Sequence, residues 1–326
     1  MTTDKLPSPA NANVSKPKKI KRDWSGATFG LLLGALGLIM ARLGHLWVGF
    51  DVFAQFSMQF VFLIVAMAFG LVFPRYKGLI GLVIFLAMLV AYALWPQMNI
   101  HSAETAVPPG SQRLRVASFN TFVFNHDFGA QRDTILKLDP DVMTLVEFTA
   151  DKQELLDSLR STYPYQETCF AKAECDAAII SKYPLFNVTA KGSWAGAPVI
   201  QASLGPQFGG VTIFGIHTTR FPHSRAQFTQ IKESVKYFET VPGRLIIMGD
   251  FNATPFSRVT ETVVESLGLH RLTNMPTWPA TYGFPQLAID HIFASADLIP
   301  LSSEAIGNNA GSDHFPVAIT LAVPQN

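Results

Sequence analysis

The sequence predicts an α+β domain with two packed β-sheets, preceded by three transmembrane α-helices. Two features of the 326-residue chain lead to this prediction. Apolar residues in the first hundred positions form long runs, whereas from residue 114 onward short apolar strands alternate with helical segments. The second part, about 215 residues long, has the size of one domain with two sheets packed against each other.

The N-terminal region contains most of the apolar excess of the chain. Overall 48% of the residues are hydrophobic, yet only four of the residues from 26 to 95 carry a formal charge. The apolar stretches are residues 26–47, 53–73 and 79–95. Each approaches the length of about 20 residues that a transmembrane helix needs. A signal peptide is the alternative for the first stretch, but no small-residue cleavage site follows it. A soluble bundle of buried helices is the alternative for all three.

Basic residues predict the orientation of this membrane anchor. Lys16–Arg22 precedes the first stretch and Pro74–Gly78 joins the second to the third, whereas the loop at Gly49–Val52 carries only Asp51. The positive-inside rule places both basic segments in the cytoplasm. Three crossings then bring the chain after Trp95 to the other side. We therefore expect a multi-pass protein of the inner (cytoplasmic) membrane with a cytoplasmic N-terminus and a periplasmic or extracytoplasmic domain.

These features divide the chain into four parts. Residues 1–23 are predicted to be a disordered, basic cytoplasmic tail, because they are rich in Pro, Ser, Asn, Thr and Lys. The anchor then covers residues 24–96, a linker covers 97–112 and the α+β domain covers 113–326.

Charge differs between the anchor and the domain. Residues 1–96 contain nine Lys and Arg against three Asp and Glu, so the remainder has 16 against 21, a net charge of about −5. Tight nonspecific binding to nucleic acid normally requires a basic surface. The composition therefore argues against that function class, although a local basic patch stays compatible with it.

The chain contains two cysteines, Cys169 and Cys175, separated by five residues. A hairpin loop can bring two cysteines at this spacing together. Outside the cytoplasm we expect them to form a disulfide, and two free thiols are the alternative. Two cysteines without a neighbouring histidine do not supply the four ligands of a structural zinc site.

From residue 114 onward, strand candidates alternate with two helical segments. The strand candidates are Leu114–Asn120, Asp141–Phe148, Asp176–Pro184, Val199–Gly205, Val211–Thr219, Arg244–Asn252, Ala288–Ser295 and Phe315–Val323. Helices are predicted near Gln131–Leu138 and over Ser224–Glu239. Short strands interleaved with helices favour the α+β class.

Polar side chains follow the apolar part of several strand candidates. They are Asn120, Glu147, His217, Asp250 with Asn252, Asp290 with His291, and Asp313 with His314. Strand ends can direct side chains into one cleft. Each residue alone also has a structural interpretation, as a turn former, a solvated strand end or a core histidine. Together they predict a site in which carboxylates bind a hard cation such as Mg²⁺ while His and Asn contact a phosphate.

Six short motifs occur in the same order as in a known family. They are SFN (Ser118–Asn120), LVE (Leu145–Glu147), GIHTT (Gly215–Thr219), GDFNATP (Gly249–Pro255), IDHIF (Ile289–Phe293) and SDHFPV (Ser312–Val317). Over residues 113–323 the chain resembles the endonuclease/exonuclease/phosphatase superfamily, the relatives of pancreatic deoxyribonuclease. The resemblance implies a four-layered α/β sandwich. PTWP (Pro276–Pro279) and the anchor resemble bacterial members with three N-terminal spans.

The resemblance also implies roles for individual residues. Glu147 would be the principal Mg²⁺ ligand, Asn120 would help to hold metal and phosphate, and Asp313 would complete the metal site directly or through water. Asp250 would orient or deprotonate the attacking water. Asn252 and His217 would contact the phosphate. Asp290 would orient His314, whose imidazole would stabilise charge on the phosphoryl group. Mn²⁺ is the alternative cation.

The chain departs from the family pattern at two places. Val146 stands where many members have Gln before the metal-binding Glu, which removes one polar contact near the metal. In the segment HTTRFPHSR, Arg220, His223 or Arg225 could contact a leaving group or a second phosphate, or could be ordinary loop residues. His291 beside Asp290 is interpreted as structural.

Three function classes follow from these features. The first is a metal-dependent phosphoesterase that acts at the outer membrane face on a phosphate ester, such as a lipid-linked phosphate. The second is a membrane-tethered nuclease acting on DNA or RNA, which the acidic domain disfavours. The third is a catalytically silent scaffold, which the complete set of site residues disfavours. The spans favour the first class, because a tether keeps the site near lipid headgroups, although a fold does not determine a substrate.

Overall fold

The protein is described by a computed structural model that covers residues 25–72, 85–88, 107–172, 174–283 and 286–325. The predicted tail at 1–23 lies outside the described residues. So do residues 97–106 of the predicted linker and all but four residues of the predicted third span, 79–95.

Seven strands form the first sheet, and six form the second. The first contains β1 (Gln112–Asn120), β2 (Val142–Val146), β3 (Tyr165–Thr168), β4 (Ala177–Ser181), β11 (Ile299–Pro300), β12 (Ala305–Ile306) and β13 (Val317–Val323). The second contains β5 (Leu185–Lys191), β6 (Val199–Leu204), β7 (Thr212–His217), β8 (Leu245–Asp250), β9 (Leu269–Arg271) and β10 (Asp290–Ser295).

Both sheets are mixed, and each has one parallel pair. The first has the order β11-β13-β1-β2-β4-β3, with β12 also beside β13, and β1 is parallel to β2. The second has the order β5-β6-β7-β8-β10-β9, with β7 parallel to β8. In each sheet the parallel pair lies in the interior, flanked by antiparallel strands, so the carboxyl ends of β1, β2, β7 and β8 can form a shared edge.

Helices cover the outer face of each sheet. They are α4 (Phe128–Leu138), α5 (Gln153–Leu159), α6 (Ser224–Phe238) and α7 (Arg258–Leu267). Val116 of β1 packs in the core between the sheets, whereas its neighbour Ala117 packs on the side of α4 and α5. Strand residues are therefore buried on both faces, as in a sheet between two layers. The prediction of two packed mixed sheets with outer helices is confirmed.

The N-terminal residues form an antiparallel pair of apolar helices. The pair consists of α1 (Ser25–Arg42) and α3 (Ser57–Val72), joined by 3-10 turns and the short α2 (Asp51–Ala54). A Cβ on Gly34 of α1 would lie 2.7 Å from Cγ1 of Ile64, and one on Gly30 would lie 2.8 Å from Cγ of Met67. The glycines thus permit the close helix contact that small residues provide in membrane helix pairs.

The prediction of three transmembrane helices is only partly supported. Among the described residues, one helix, Gly26–His45, is long and apolar enough to cross a bilayer. The second predicted span, 53–73, overlaps a pair of helical segments, Val48–Ala54 and Ser57–Phe69, with a bend of 55° between them. The segment Val48–Ala54 is not collinear with α3, because it belongs to the turn that contacts the α+β domain.

The turn between the apolar helices is docked on the domain. Asp51 is buried, and its carboxylate accepts hydrogen bonds from the hydroxyl of Ser257 at 2.6 Å and the backbone N–H of Arg258 at 2.8 Å. The side chain of Gln55 accepts one from the backbone N–H of Thr254 at 2.7 Å. An acidic side chain at the start of α7 satisfies backbone donors that the helix leaves free. Loop 251–257, directly after β8, is therefore held by the N-terminal helices.

Candidate active site

The strand ends of both sheets meet in one cleft. Asn120 and Glu147 come from the ends of β1 and β2, and His217 and Asp250 from the ends of β7 and β8. Antiparallel pairing puts Asp290, the first residue of β10, directly opposite Asp250. His314 precedes β13, which is antiparallel to β1. The cleft has a volume of about 640 Å³ and is lined by Glu147, His217, Asp250, Asn252, Asp313 and His314, among others.

Asn120 connects the two sheets at the floor of the cleft. Its side-chain N–H₂ group donates to Oε1 of Glu147 and to Oδ2 of Asp250, both at 3.0 Å. Its Oδ1 accepts a hydrogen bond from the backbone N–H of Phe122 at 2.9 Å, which fixes the orientation of the amide. In this orientation Asn120 aligns the two carboxylates. Direct metal binding by its oxygen stays a prediction.

Glu147 is half-buried and reaches the cleft from a left-handed backbone conformation, with φ of 50°. Its Oε2 accepts a hydrogen bond from the backbone N–H of Val123 at 2.9 Å. Burial alone would raise the pKa of Glu147, but His217 and the hydrogen bonds from Asn120 and Val123 outweigh it and hold the pKa below its ordinary value. The carboxylate is therefore ionised at neutral pH.

Asp250 occupies the centre of the cleft and is almost fully buried. Its Oδ1 accepts from the backbone N–H of Asn252 at 2.7 Å, and its Oδ2 accepts from the side chain of Asn252 at 3.2 Å. Gly249 comes directly before it, and a Cβ there would lie 1.9 Å from the carbonyl oxygen of Ile216. Only glycine permits this approach of β7 to β8. Burial raises the pKa of Asp250 to about 6, although His314 acts in the opposite direction.

Asp290 and His314 form a buried carboxylate–imidazole pair. Nδ1 of His314 lies 2.8 Å from Oδ2 of Asp290, which also accepts a hydrogen bond from the hydroxyl of Thr277 at 2.5 Å. Nε2 of His314 then faces Asp250, at 3.7 Å from its Oδ2. Burial alone would lower the pKa of His314, but the carboxylates of Asp290 and Asp250 outweigh it and raise the pKa to about 10. The imidazole is therefore protonated at neutral pH.

The donor set fits a divalent cation. Ligand atoms of Glu147, His217 and Asp250 lie within 4.8 Å of one another. Nε2 of His217 is 3.8 Å from Oε1 of Glu147 and 3.6 Å from Oδ2 of Asp250. Mg²⁺ in proteins is often bound by one or two carboxylates together with water and substrate oxygens, and an ionised Glu147 open to the cleft meets that requirement. Asp250, Asp290 and His314 form a second close group, but it is buried and occupied by its own ion pair.

Not every predicted site residue lies at the centre of the cleft. Asp313 lines it, but one of its oxygens accepts a hydrogen bond from the indole N–H of Trp278 at 3.2 Å. Arg220 is exposed at the rim. Arg225 is exposed on α6 and is absent from the described residues that line the cleft. His291 is buried, and Nε2 lies 2.8 Å from the carbonyl oxygen of Ala253. Burial lowers its pKa to about 3, so it is neutral.

Cys169 and Cys175 are bonded to each other as a disulfide. Both are buried in the core between the two sheets, where they pack with residues such as Val146. Val146, which replaces the Gln of many family members, is fully buried in the same core. It therefore contributes no polar atom beside Glu147.

Lys152, which is not among the predicted site residues, stabilises the loop after β1. Its side chain is fully buried, and its ammonium group donates to the carbonyl oxygens of Thr121 and Phe122 at 3.1 and 2.7 Å and to the hydroxyl of Thr121 at 2.9 Å. These bonds hold the loop whose Val123 N–H contacts Glu147. Burial lowers the pKa of Lys152 to about 8, and Glu147 acts in the opposite direction. A lysine in a helical, mostly polar segment reads as exposed, so the sequence carried no signal for this role.

Replacing Lys152 with methionine is expected to destabilise the domain by about 2 kcal/mol, because the acceptors in the loop after β1 lose a charged donor while staying buried. Thermal unfolding without added metal would measure the effect. Lys137→Met on the exposed side of α4 is the matched control and should leave the melting temperature nearly unchanged. Equal melting temperatures for the Lys152 variant and the control would contradict the role assigned to this ammonium group.

A sequence model of the Endonuclease/Exonuclease/phosphatase family matches residues 117–314, a range that contains every residue of the cleft named above. The chain belongs to this family. The members of this family are divalent-metal-dependent hydrolases of phosphate esters. Sequence and fold therefore both assign the chain to a family of hydrolases. No curated protein sequence matches the chain significantly.

Solved structures of other proteins have the same fold. An endonuclease/exonuclease/phosphatase from Beutenbergia cavernae is 17% identical with a TM-score of 0.55, over 65% of this chain and 72% of its own. A family protein from Bacteroides thetaiotaomicron is 15% identical with a TM-score of 0.52, over 67% and 97%. The protein SmcL is 19% identical with a TM-score of 0.52, over 64% and 99%. At these identities the likeness concerns the fold alone.

Proposed function

We propose that this chain is a membrane-anchored, Mg²⁺- or Mn²⁺-dependent phosphoesterase that hydrolyses a lipid-linked phosphate ester by in-line attack of water at phosphorus. The observation that carries the proposal is the cleft itself. An ionised glutamate, a carboxylate with a pKa of about 6 and a protonated histidine face one another there, beside the turn of the apolar helices. Phosphoryl transfer requires mainly positioning and neutralisation of charge, and these groups supply both.

Glu147 would hold the divalent cation, with Asp250 facing it across the cleft, and Asp313 would complete the site directly or through water. The cation would add positive charge beside the phosphate oxygens and favour ionisation of bound water. Asn120 keeps Glu147 and Asp250 in their relative positions through its two hydrogen bonds. The cation-binding carboxylates therefore cannot rotate away from each other without breaking bonds to a buried amide.

The remaining residues would act on water and phosphate. Asp250 orients the attacking water and accepts its proton, because a base with a pKa near neutral is effective at that step. Asn252 and His217 contact phosphate oxygens from the side of the second sheet. His314, held by Asp290, presents a positive Nε2 to the phosphoryl group and stabilises its charge in the transition state. Arg220 at the rim contacts the rest of the substrate. Arg225, exposed at the start of α6 and outside the described lining of the cleft, is assigned no role.

The docked turn supports the predicted membrane topology. The turn between α1 and α3 contacts loop 251–257, so the domain lies on the side of the membrane that this turn reaches. If α1 and α3 both cross the bilayer, the predicted third span at 79–95 would return the chain to the side of the domain. With basic segments in the cytoplasm, the domain is extracytoplasmic. The active-site cleft would therefore face the outer leaflet.

The full chain in lipid nanodiscs would be tested for Mg²⁺- and Mn²⁺-dependent hydrolysis of three substrates, with Asp250→Ala as the blank. The substrates are bis-p-nitrophenyl phosphate, a phospholipid or isoprenyl pyrophosphate in the same nanodisc, and supercoiled plasmid DNA. We expect cleavage of the lipid phosphate and the small diester with plasmid left intact. Lack of metal-dependent hydrolysis of all three substrates by folded protein would overturn the proposal.

A membrane-tethered nuclease is the second candidate. It is favoured by Arg220 and His223, two basic side chains at the rim of the cleft that could contact a second phosphate of a polynucleotide. Nicking of plasmid DNA at low enzyme concentration, abolished by Asp250→Ala, would establish this function in place of the first.

A further inference from the structure

A groove separates the start of α3 from the α+β domain. It has a volume of about 570 Å³, within the range of small-molecule sites. We call it the helix groove, and six of the residues that line it are Met58, Phe62, Pro255, Phe256, Leu287 and Ala288. No charged side chain occurs among the described residues of its lining. Apolar side chains predominate in the lining, which also includes Gln55, Gln59, Thr254 and Gln286. The groove therefore suits a hydrocarbon chain better than a charged ligand.

The helix groove and the active-site cleft share a wall. Ala288 lines the groove, and the next residue, Ile289, lines the cleft. Leu287 of the groove is paired through backbone hydrogen bonds with Trp278 of the cleft, at 2.8 and 3.1 Å. Thr254 of the groove lies two residues after Asn252 of the cleft. A substrate with a phosphate in the cleft thus has the helix groove immediately beside it.

Aromatic rings connect the start of α3 with the active-site cleft. Phe56, just before α3, packs edge-on against Phe221 with 5.7 Å between ring centroids, and Phe221 packs against Trp278 at 6.4 Å. Phe221 and Trp278 both line the cleft. The side of the cleft that faces α3 is therefore apolar, whereas the side that carries Glu147 and Asp250 is charged. This asymmetry matches a molecule with a charged head and an apolar tail.

The apolar face of α3 continues the helix groove away from the cleft. Phe62, Val65 and Phe69 are 65%, 52% and 67% exposed. Their spacing of three and four residues places them on one side of the helix. Phe62 belongs to the groove lining, so this face begins at the groove and runs along the helix toward Val72. In a bilayer it would be covered by lipid chains.

We propose that the helix groove binds the hydrocarbon chain of the substrate next to its phosphate, and that the rest of the chain follows the exposed face of α3 into the bilayer. This inference rests on the proposed function and specifies its substrate as a phosphate ester with a long, single alkyl or isoprenoid chain. The anchor then has two roles. It tethers the domain, and it forms one wall of the substrate site.

The test uses the full chain in nanodiscs and two diesters with the same leaving group, hexadecyl 4-nitrophenyl phosphate and ethyl 4-nitrophenyl phosphate. Met58→Trp fills the helix groove from α3, and Phe62→Ala removes part of its wall at a largely exposed position. Leu36→Trp on the exposed face of α1 is the matched control, because it is 55% exposed and is not part of the described lining.

We expect Met58→Trp to lower kcat/KM for the hexadecyl ester by about tenfold or more, since several methylene groups lose their binding site. Phe62→Ala should lower it by a smaller factor, and neither variant should change hydrolysis of the ethyl ester. The control should behave as the unaltered chain with both esters. Equal effects on the two esters, or no effect of either variant, would overturn the inference.

A second readout does not depend on turnover. A hexadecyl phosphate with a diazirine in the middle of its chain would be photolysed with the full chain in nanodiscs, and the labelled peptides would be identified by mass spectrometry. We expect labelling around Met58 and Phe256 that Met58→Trp removes. Labelling confined to the outer face of α1, or unchanged in the variant, would overturn the inference. If the unaltered chain hydrolyses neither ester, the proposed function fails, while photolabelling still decides whether the groove binds a chain.

Discussion

Replacing Asp250 with asparagine is expected to lower the rate of metal-dependent hydrolysis by about 10³-fold or more, because the substitution removes a general base and a negative charge at the cation. The carboxylate lies among Asn120, Asn252, His217 and His314, at distances of 3.0 to 3.7 Å from their side-chain nitrogen atoms. Asparagine has almost the same shape as aspartate, so the fold should persist. The loss of rate would then report on chemistry.

The measurement is kcat for bis-p-nitrophenyl phosphate at saturating Mg²⁺. Asp133→Asn, an exposed aspartate on α4, is the matched control and should keep the full rate. Thermal unfolding of both variants would show whether the site variant is folded. A folded Asp250→Asn protein that retains more than about a tenth of the rate would contradict the assignment of this residue as the base.

The same assignment predicts the acid side of the pH profile. Burial raises the pKa of Asp250 to about 6, above the ordinary value for an aspartate. When the carboxyl group is protonated it cannot accept a proton from water, so the rate should fall on the acid side, at or below about pH 6, because the bound cation favours the ionised carboxylate. Above it the rate should level off. The asparagine variant should lack this acid limb, because its side chain does not titrate.

The clustering of the polar strand ends in one cleft was predictable from the sequence because the relevant signal is local. A strand of alternating or continuous apolar residues that ends in Asn120 or Asp250 shows both where the strand stops and which polar atom is at its end. The two parallel pairs, β1 with β2 and β7 with β8, then bring four of these ends to one edge. The position of each polar side chain relative to the end of its strand could therefore be predicted from the sequence.

Contacts between segments that are far apart in the sequence could not be predicted from such local patterns. The sequence alone indicates that Asp51 is a charge in a loop between spans. In the structure it is buried and hydrogen-bonded to Ser257 and Arg258, more than 200 residues away in sequence. Apolar periodicity gives the length of a helix but does not indicate which surface its turn will contact. Lys152 was missed for the same reason, since its three acceptors belong to the loop after β1.

Replacing Asp290 with asparagine is expected to reduce the rate by about 10²-fold near neutral pH, because the charge that stabilises protonated His314 is lost. Oδ2 of Asp290 lies 2.8 Å from Nδ1 of His314, and Asp290 is buried with it. The carboxylates of Asp290 and Asp250 raise the pKa of His314 to about 10. Without the Asp290 carboxylate, less negative charge offsets the burial of the imidazole. The pKa of His314 should therefore fall.

The pH dependence distinguishes a charged His314 from a neutral one. If the imidazolium form stabilises the phosphoryl group, the rate of the unaltered chain should decrease only as the pH rises toward about 10, where His314 loses its proton. In Asp290→Asn this alkaline limb should move to lower pH. Thr277→Val, which removes a neighbouring hydrogen bond to Asp290 but keeps the carboxylate, is the control and should leave the limb near its original position. An alkaline limb that stays unchanged in Asp290→Asn would mean that His314 acts as a neutral donor, and that Asp290 only orients its ring.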